Sequence, residues 1–434
     1  MIKSILFLIL ATSALLVTCD DQQYALKYVT VLYDSGTAMP SKTFKNAKNP
    51  INPDWFRKCW TKLDSSNKQG GCITEEEAAK VDELTKRIQI KYSDFLPVYS
   101  KANKNKYKFV LPREFAVEYV VDVEFGGHRT VLYPSFESFY RHRQTIENIY
   151  HGEVDTPDDL PSKEEMEVDG ECKKRDLLLS LADYATNTTK NEKFQKFLQE
   201  AGKLTGEKIT AENYMEYISQ ALMEQISFPN KSHNVKSFLI DHNDAIMAHN
   251  RMLMGQLDDS IIQNGFELGK EIRNLRGAEF FYARNSEIGS ASDCLKGITC
   301  RSLHAKIDFQ SISSNTMAMN SMLIEFGLEK YITKAADYFP TSGKSINIEL
   351  YQNTNNKNET FFKVVIFDPS DPQNYTDVTT DVKGCTGKDY CDFSVYDDMA
   401  MPYHPTKFNV DCKIEPKDAS LYALPTTTIT PAKK

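Results

Sequence analysis

Tyr24 to Pro40, YALKYVTVLYDSGTAMP, constrains this chain more than any other stretch. The run Tyr28, Val29, Val31, Leu32 and Tyr33 is apolar and rich in branched and aromatic side chains, and it stops at Ser35-Gly36 before reaching Pro40. Such side chains suit a pleated, buried surface, and Ser-Gly followed by proline ends it. The pattern predicts a buried strand that delivers a loop to the end of a sheet, where the loops of an α/β fold carry the chemistry. The residues to explain are Asp34, Ser35, Gly36, Thr37, Ala38, Met39 and Pro40.

Two families place reactive residues on such a loop. Asp34 to Thr37 fits the Asp-Thr/Ser-Gly-Thr/Ser of pepsin-like proteases, but those need a second aspartate to share a proton, and no second copy is found. The loop also resembles the R-H-G-x-R-x-P of histidine acid phosphatases. Gly36 and Pro40 keep their places, while Asp34, Ser35 and Ala38 stand where that pattern has Arg, His and Arg.

A chain of 434 residues builds one large or two medium domains. With 52 basic against 60 acidic residues it has no basic stripe, which argues against nucleic-acid binding. Lys3 followed by the apolar run Ile5 to Val17 and Cys19 predicts a signal peptide over 1–19, not a membrane span. A secreted or luminal protein is expected. Setting Cys19 aside leaves an even number of the 9 cysteines, as suits an oxidising compartment. Cys59 and Cys72, Cys294 and Cys300, and Cys385 and Cys391 are close in sequence. Asn187, Asn230, Asn358 and Asn374 begin glycosylation sequons. No cofactor and no metal site is expected: the acidic stretch Glu153 to Glu171 lacks the ligand spacing of a calcium loop, and His242 and His249 are seven apart where a zinc pair needs four. Gly126, Gly127, His128 and Arg129 read as a surface turn, and His242 and His249 as surface or satisfied histidines.

Further along, Thr74 and Glu77 form a capping box ahead of Ala78, Val81, Leu84 and Ile88, which predicts an amphipathic helix. Tyr107 to Val123 reads as strand, Cys172 to Asn230 as helical, and Ala305 to Ile312 as strand. Ser313 and Ser314 read as N-caps of a helix whose buried stripe is Met319, Met322, Leu323 and Phe326. Ile346, Ile348 and Leu350 alternate, and Asn355 to Asn358 turns into ETFFKVVIF, predicting a hairpin.

These segments extend the resemblance to histidine acid phosphatases from about Leu26 to Cys412. Asn274 to Ile288 is similar to the family's R-L-x-G-G-x-L-L-x-E-I helix, and Gly384 to Cys391 to its G-C-x-x-x-C loop. Ser311 and Thr316 match its S-A-H-D-T-T motif, with Ser313-Ser314 where His-Asp belongs. The resemblance implies an α/β fold, a mostly parallel sheet with helices on both faces. It implies a core over 20–130 and 266–415, a helical cap over 131–265, and leaves 416–434 as a disordered Thr/Pro tail. It also implies disulfides Cys172–Cys412 and Cys385–Cys391. Cys59–Cys72 and Cys294–Cys300 rest on proximity alone. In the family one histidine attacks phosphorus, arginines hold the phosphate, a second histidine stabilises charge and an aspartate protonates the leaving group. None of these is intact here, and Arg113, near the place of the third arginine, lacks the matching neighbours. The expectation is a pseudophosphatase acting on an extracellular ligand or protein that the sequence does not identify. A homodimer is left open, as are a weak acid phosphatase and a hydrolase built on Asp34 or Ser35.

Overall fold

A computed structural model describes residues 23–34, 44, 75–96, 106–110, 172–227, 234–298, 300, 307–314, 316–339, 343–369, 375–404, 414 and 420–424. The predicted central strand is β1, Tyr24–Asp34. It pairs in parallel with β5, Phe309–Ser314, which pairs in parallel with β2, Tyr107–Val110. On its other side β1 runs antiparallel to β6, Ser345–Asn353, and β6 to β7, Thr360–Phe367. The short β8, Thr376–Asp377, and β9, Cys391–Asp392, complete a mixed sheet of seven strands against β7. The separate pair β3, Ile262–Gln263, and β4, Phe266–Glu267, forms a small hairpin. The architecture is α/β, as the sequence predicts.

Alternation along β1 assigns its two faces. Tyr28 and Leu32 enter the main core with Ile312, Ile346, Ile348 and Leu350. Val29, Val31 and Tyr33 enter a second core beneath α1, Glu75–Lys91, through Leu84, Ile88 and Tyr92. Helices therefore cover both faces, and this is why Asn347 and Glu349 of β6 are as buried as the apolar residues between them. The Tyr92 and Tyr351 hydroxyls donate to Glu349 at 2.8 and 2.7 Å, and Lys91 stands 3.2 Å away. A buried carboxylate persists only with such partners.

The main core is closed by α8, Ala278–Leu295, α9, Thr316–Glu325, and α10, Phe393–Ala400. The sequence predicts one helix through Asn274 to Ile288. Instead α7, Leu268–Arg276, ends at Gly277, where a Cβ would lie 2.6 Å from the Ser321 Cβ. The close crossing of α9 requires a glycine there, and the chain turns at it. Among the described residues five helices lie between β2 and the β3–β4 hairpin: α2, Lys173–Thr186, α3, Glu192–Thr205, α4, Tyr214–Ser227, α5, Val235–Asp241, and α6, Asn243–Leu253. Their cluster includes Phe194, Phe197, Ile218, Leu239 and Ile246, and Ala335 and Phe339, ahead of β6, join it. Among the described residues no helix is long and apolar enough to cross a membrane.

Candidate functional site

The carboxyl ends of β1 and β5 lie side by side, with Tyr33 opposite Ser313 and Asp34 opposite Ser314. Helix α9 begins at Thr316, whose Oγ1 donates to Asp34 Oδ2 at 2.6 Å. The Asp34 N–H donates to the Lys344 carbonyl at 3.0 Å, which ties the site to the head of β6. Asp34 is 1% exposed, Ser314 5% and Lys344 7%. Among the described residues the Ser314 hydroxyl has no hydrogen-bond partner. This corrects the sequence reading, in which Ser313 and Ser314 cap a helix. They are the last residues of β5, because pairing with β1 runs to its end at Asp34 and holds the backbone extended. The arrangement is a carboxylate and two hydroxyls at the end of a sheet. Ser35, Gly36 and Ala38 lie outside the described residues, as do Arg113, the 126–129 turn, the 153–171 stretch, residues 1–19, the tail, Cys59, Cys72, Cys412, Asn230 and Asn374.

His242 and His249 lie among the helices, away from this site. His242 sits between α5 and α6, with Nε2 2.9 Å from the Glu200 carboxylate, so it is satisfied as the sequence reading expects. Asn243 accepts from the Ala335 N–H at 2.8 Å. His249 differs. It is 2% exposed, and its ring stacks on Phe194 at 4.4 Å and meets Tyr214 edge-on at 5.3 Å. It is not at the surface, and burial pushes its pKa down to about 4 against the opposing pull of Asp183, the Ala211 backbone and Glu212. The sequence signal was a histidine among the buried residues Ala245, Ile246 and Met252 of α6. Among the described residues no group of three or more His, Cys, Asp or Glu side chains could hold a metal ion.

Sequence reasoning missed a polar chain inside the main core. The Tyr28 hydroxyl donates to Gln310 at 2.5 Å, Gln310 donates to Glu287 at 3.3 Å, and Glu287 lies 2.9 Å from Arg284 Nε, off the line of a hydrogen bond. Arg284 is 2% exposed and its guanidinium lies 5.2 Å from the Phe280 ring centre. The signal was an Arg and a Glu at i, i+3 within an apolar helix. Cys294 is bridged to Cys300 and Cys385 to Cys391, with Cα atoms 4.6 and 5.3 Å apart. Cys172 is disulfide-bonded. The sequon residues Asn187 and Asn358 are exposed, Asn187 as the left-handed C-cap of α2.

No family model matches the chain. Two Caenorhabditis elegans proteins do match part of it. One, named "Putative acid phosphatase 10", is 26% identical over 157 residues, covering 36% of this chain and 38% of that protein. A second "Putative acid phosphatase" is 24% identical over 160 residues, covering 36% and 35%. The matches thus span a little over a third of those relatives. In fold, the chain is similar to the apo form of Hafnia alvei phytase, with a TM-score of 0.55 at 9% identity, over 91% of this chain and 99% of the phytase. The same phytase in complex with myo-inositol hexakis sulphate gives 0.52 at 11% identity, over 91% and 100%. The partial sequence matches and the fold agree with the resemblance to histidine acid phosphatases.

Proposed function

We propose that this protein is a secreted, glycosylated pseudophosphatase, in which the acid phosphatase fold serves as a scaffold for non-catalytic recognition. The observation that carries the reading is Asp34 and Ser314, side by side at the ends of β1 and β5 where the resemblance puts an arginine and the acid. Ser35 and Ala38 follow in the sequence where it puts the nucleophilic histidine and the second arginine, and Ser313 where it puts the second histidine. Four functions are missing together. Asp34 also opposes a phosphate dianion, since like charges about 4 Å apart cost roughly 4 kcal/mol at an effective dielectric near 20. In this reading residues 1–19 are a leader, 20–130 and 266–415 form the core, 131–265 the cap, and the ligand binds the cleft between them or the glycosylated outer surface.

The names of the two nematode relatives favour a second reading, a weak acid phosphatase. An assay of the purified protein against a simple aryl phosphate from pH 4 to 8 separates the two. The proposal expects no phosphate release above the blank. Release that Ser35→Ala abolishes would overturn it and assign a serine mechanism. Release unchanged by Ser35→Ala and by Asp34→Ala, yet copurifying through successive columns, would overturn it in favour of catalytic residues elsewhere.

A further inference from the structure

We infer that the Asp34 carboxylate occupies the place at the N-terminus of α9 that a tetrahedral oxyanion would otherwise take, so that the pocket is filled by a side chain of its own strand. The inference rests on the reading that this pocket no longer takes phosphate, and it supplies a physical cause for that loss.

The first turn of a helix leaves backbone N–H groups without intrahelical partners and carries the positive end of the helix dipole. At the carboxyl end of an α/β sheet this is where anions are held. Helix α9, Thr316–Glu325, starts at the carboxyl end of β5, in the middle of the sheet. The group that meets its first residue is the Asp34 carboxylate, 2.6 Å from Thr316 Oγ1. Being 1% exposed, this carboxylate draws its support from the protein rather than from water. The N–H of the same residue is fixed to the Lys344 carbonyl at 3.0 Å, so the strand holds the side chain in place.

Ser314 supplies a second, independent observation. It stands opposite Asp34 on the neighbouring strand. Strand alternation puts it on the face of Ile312, which shares the main core with Leu32 of β1, two residues before Asp34. Its hydroxyl is buried and, among the described residues, unpartnered. An orphaned hydroxyl in a core costs free energy and calls for an explanation, which a ligand that once gave it a partner supplies here. An oxyanion spanning Thr316 and Ser314 would satisfy both hydroxyls; the Asp34 carboxylate satisfies only Thr316. The ligand class excluded is therefore a tetrahedral oxyanion such as inorganic phosphate or sulfate.

Thermal unfolding of the full chain in phosphate, in sulfate and in chloride of equal ionic strength tests this. The wild type should show no anion-specific shift. Asp34→Ala should show a Tm rise of about 2 °C once the anion is roughly tenfold above its Kd. The rise should vanish when Thr316→Val is added, which ties the anion to the donor that Asp34 now uses. A folded Asp34→Ala protein that does not respond overturns self-occupancy and leaves the pseudophosphatase reading standing. A wild type that responds overturns that reading and the inference together. If Asp34→Ala does not fold in chloride, refolding yield decides. A higher yield in phosphate supports the inference, and equal failure in both salts contradicts it. Asp34→Asn, which keeps an acceptor for Thr316 and removes the charge, should then refold in chloride and gain a smaller anion response.

Discussion

A carboxylate closed off from water takes its hydrogen bonds from the protein, and at Asp34 the Thr316 hydroxyl supplies one at 2.6 Å. Thr316→Val keeps the shape of the side chain and removes that donor. It should lower the free energy of unfolding by about 1–3 kcal/mol, measured by urea denaturation. A change under a few tenths would mean that Asp34 does not depend on Thr316. The buried pair Arg284 and Glu287 gives a second expectation at this scale. Glu287→Leu takes the neighbouring carboxylate from a buried guanidinium and should cost about 3–5 kcal/mol, whereas Arg284→Met together with Glu287→Leu should recover most of the loss. A double variant no more stable than Glu287→Leu alone would show that the arginine is held by other groups. Neither site was fully legible in the sequence. Asp34 was, because it interrupts an apolar strand just before a glycine. Arg284 was not, because an arginine among Phe280, Phe281 and Tyr282 reads equally well as the polar edge of a helix.

The helices between β2 and the β3–β4 hairpin enclose two ionisable groups of opposite sense. His249 on α6 is held down to about 4 by burial, against 6.5 in the unfolded chain. The unfolded chain binds the extra proton in that interval, so stability is full above pH 6.5 and is lost as pH falls through 4, by about 3 kcal/mol in all. Glu224 on α4 is pushed up to about 7 by burial, against 4.5, and the Phe44 N–H at 3.4 Å offsets this only in part. Here the folded chain binds the extra proton, so stability rises by a similar amount as pH falls from 7 to 4.5. The two contributions nearly cancel, and single substitutions expose them. Relative to wild type, Glu224→Gln should lose about 3 kcal/mol between pH 7.5 and 4.5, and His249→Phe should gain about as much, read as differences in urea midpoints. Taking differences removes the shared contributions of Glu325 and Asp397, whose carboxyls burial also raises. Parallel curves for all three proteins would contradict the burial of both groups. These helices themselves were legible as helices from apolar spacing. The end of β5 was not: Ser313-Ser314 ahead of an apolar run has the form of a helix cap, and pairing with β1, far away in the sequence, keeps it extended. Gly277 was equally silent, because its role is set by Ser321 on another helix.

At the scale of the molecule, the order of segments and the spacing of cysteines carried more of the fold than any one motif did. The central strand β1 and the closing hairpin β6–β7 follow from apolar runs and their turns, whereas the strand order around β1 is set by long-range pairing. Where the chain closes on itself is an expectation that rests on the cysteines. Peptide mapping of the non-reduced protein should recover Cys385–Cys391 and Cys294–Cys300, and should join Cys172 to Cys412; Cys172 linked to Cys59 or Cys72 would break that frame. The central claim is that this fold has kept its frame without a nucleophile. Histidine acid phosphatases pass through a covalent phosphoenzyme, so its presence or absence is the most direct measurement. The purified protein is mixed with an excess of aryl phosphate, quenched within milliseconds to seconds, half in base, which preserves phosphohistidine, and half in acid, which preserves phosphoserine. Intact mass is then read on both halves. The account predicts the unmodified mass at every time point; a phosphoryl adduct that appears and decays, on Ser35 or on any histidine, would contradict it.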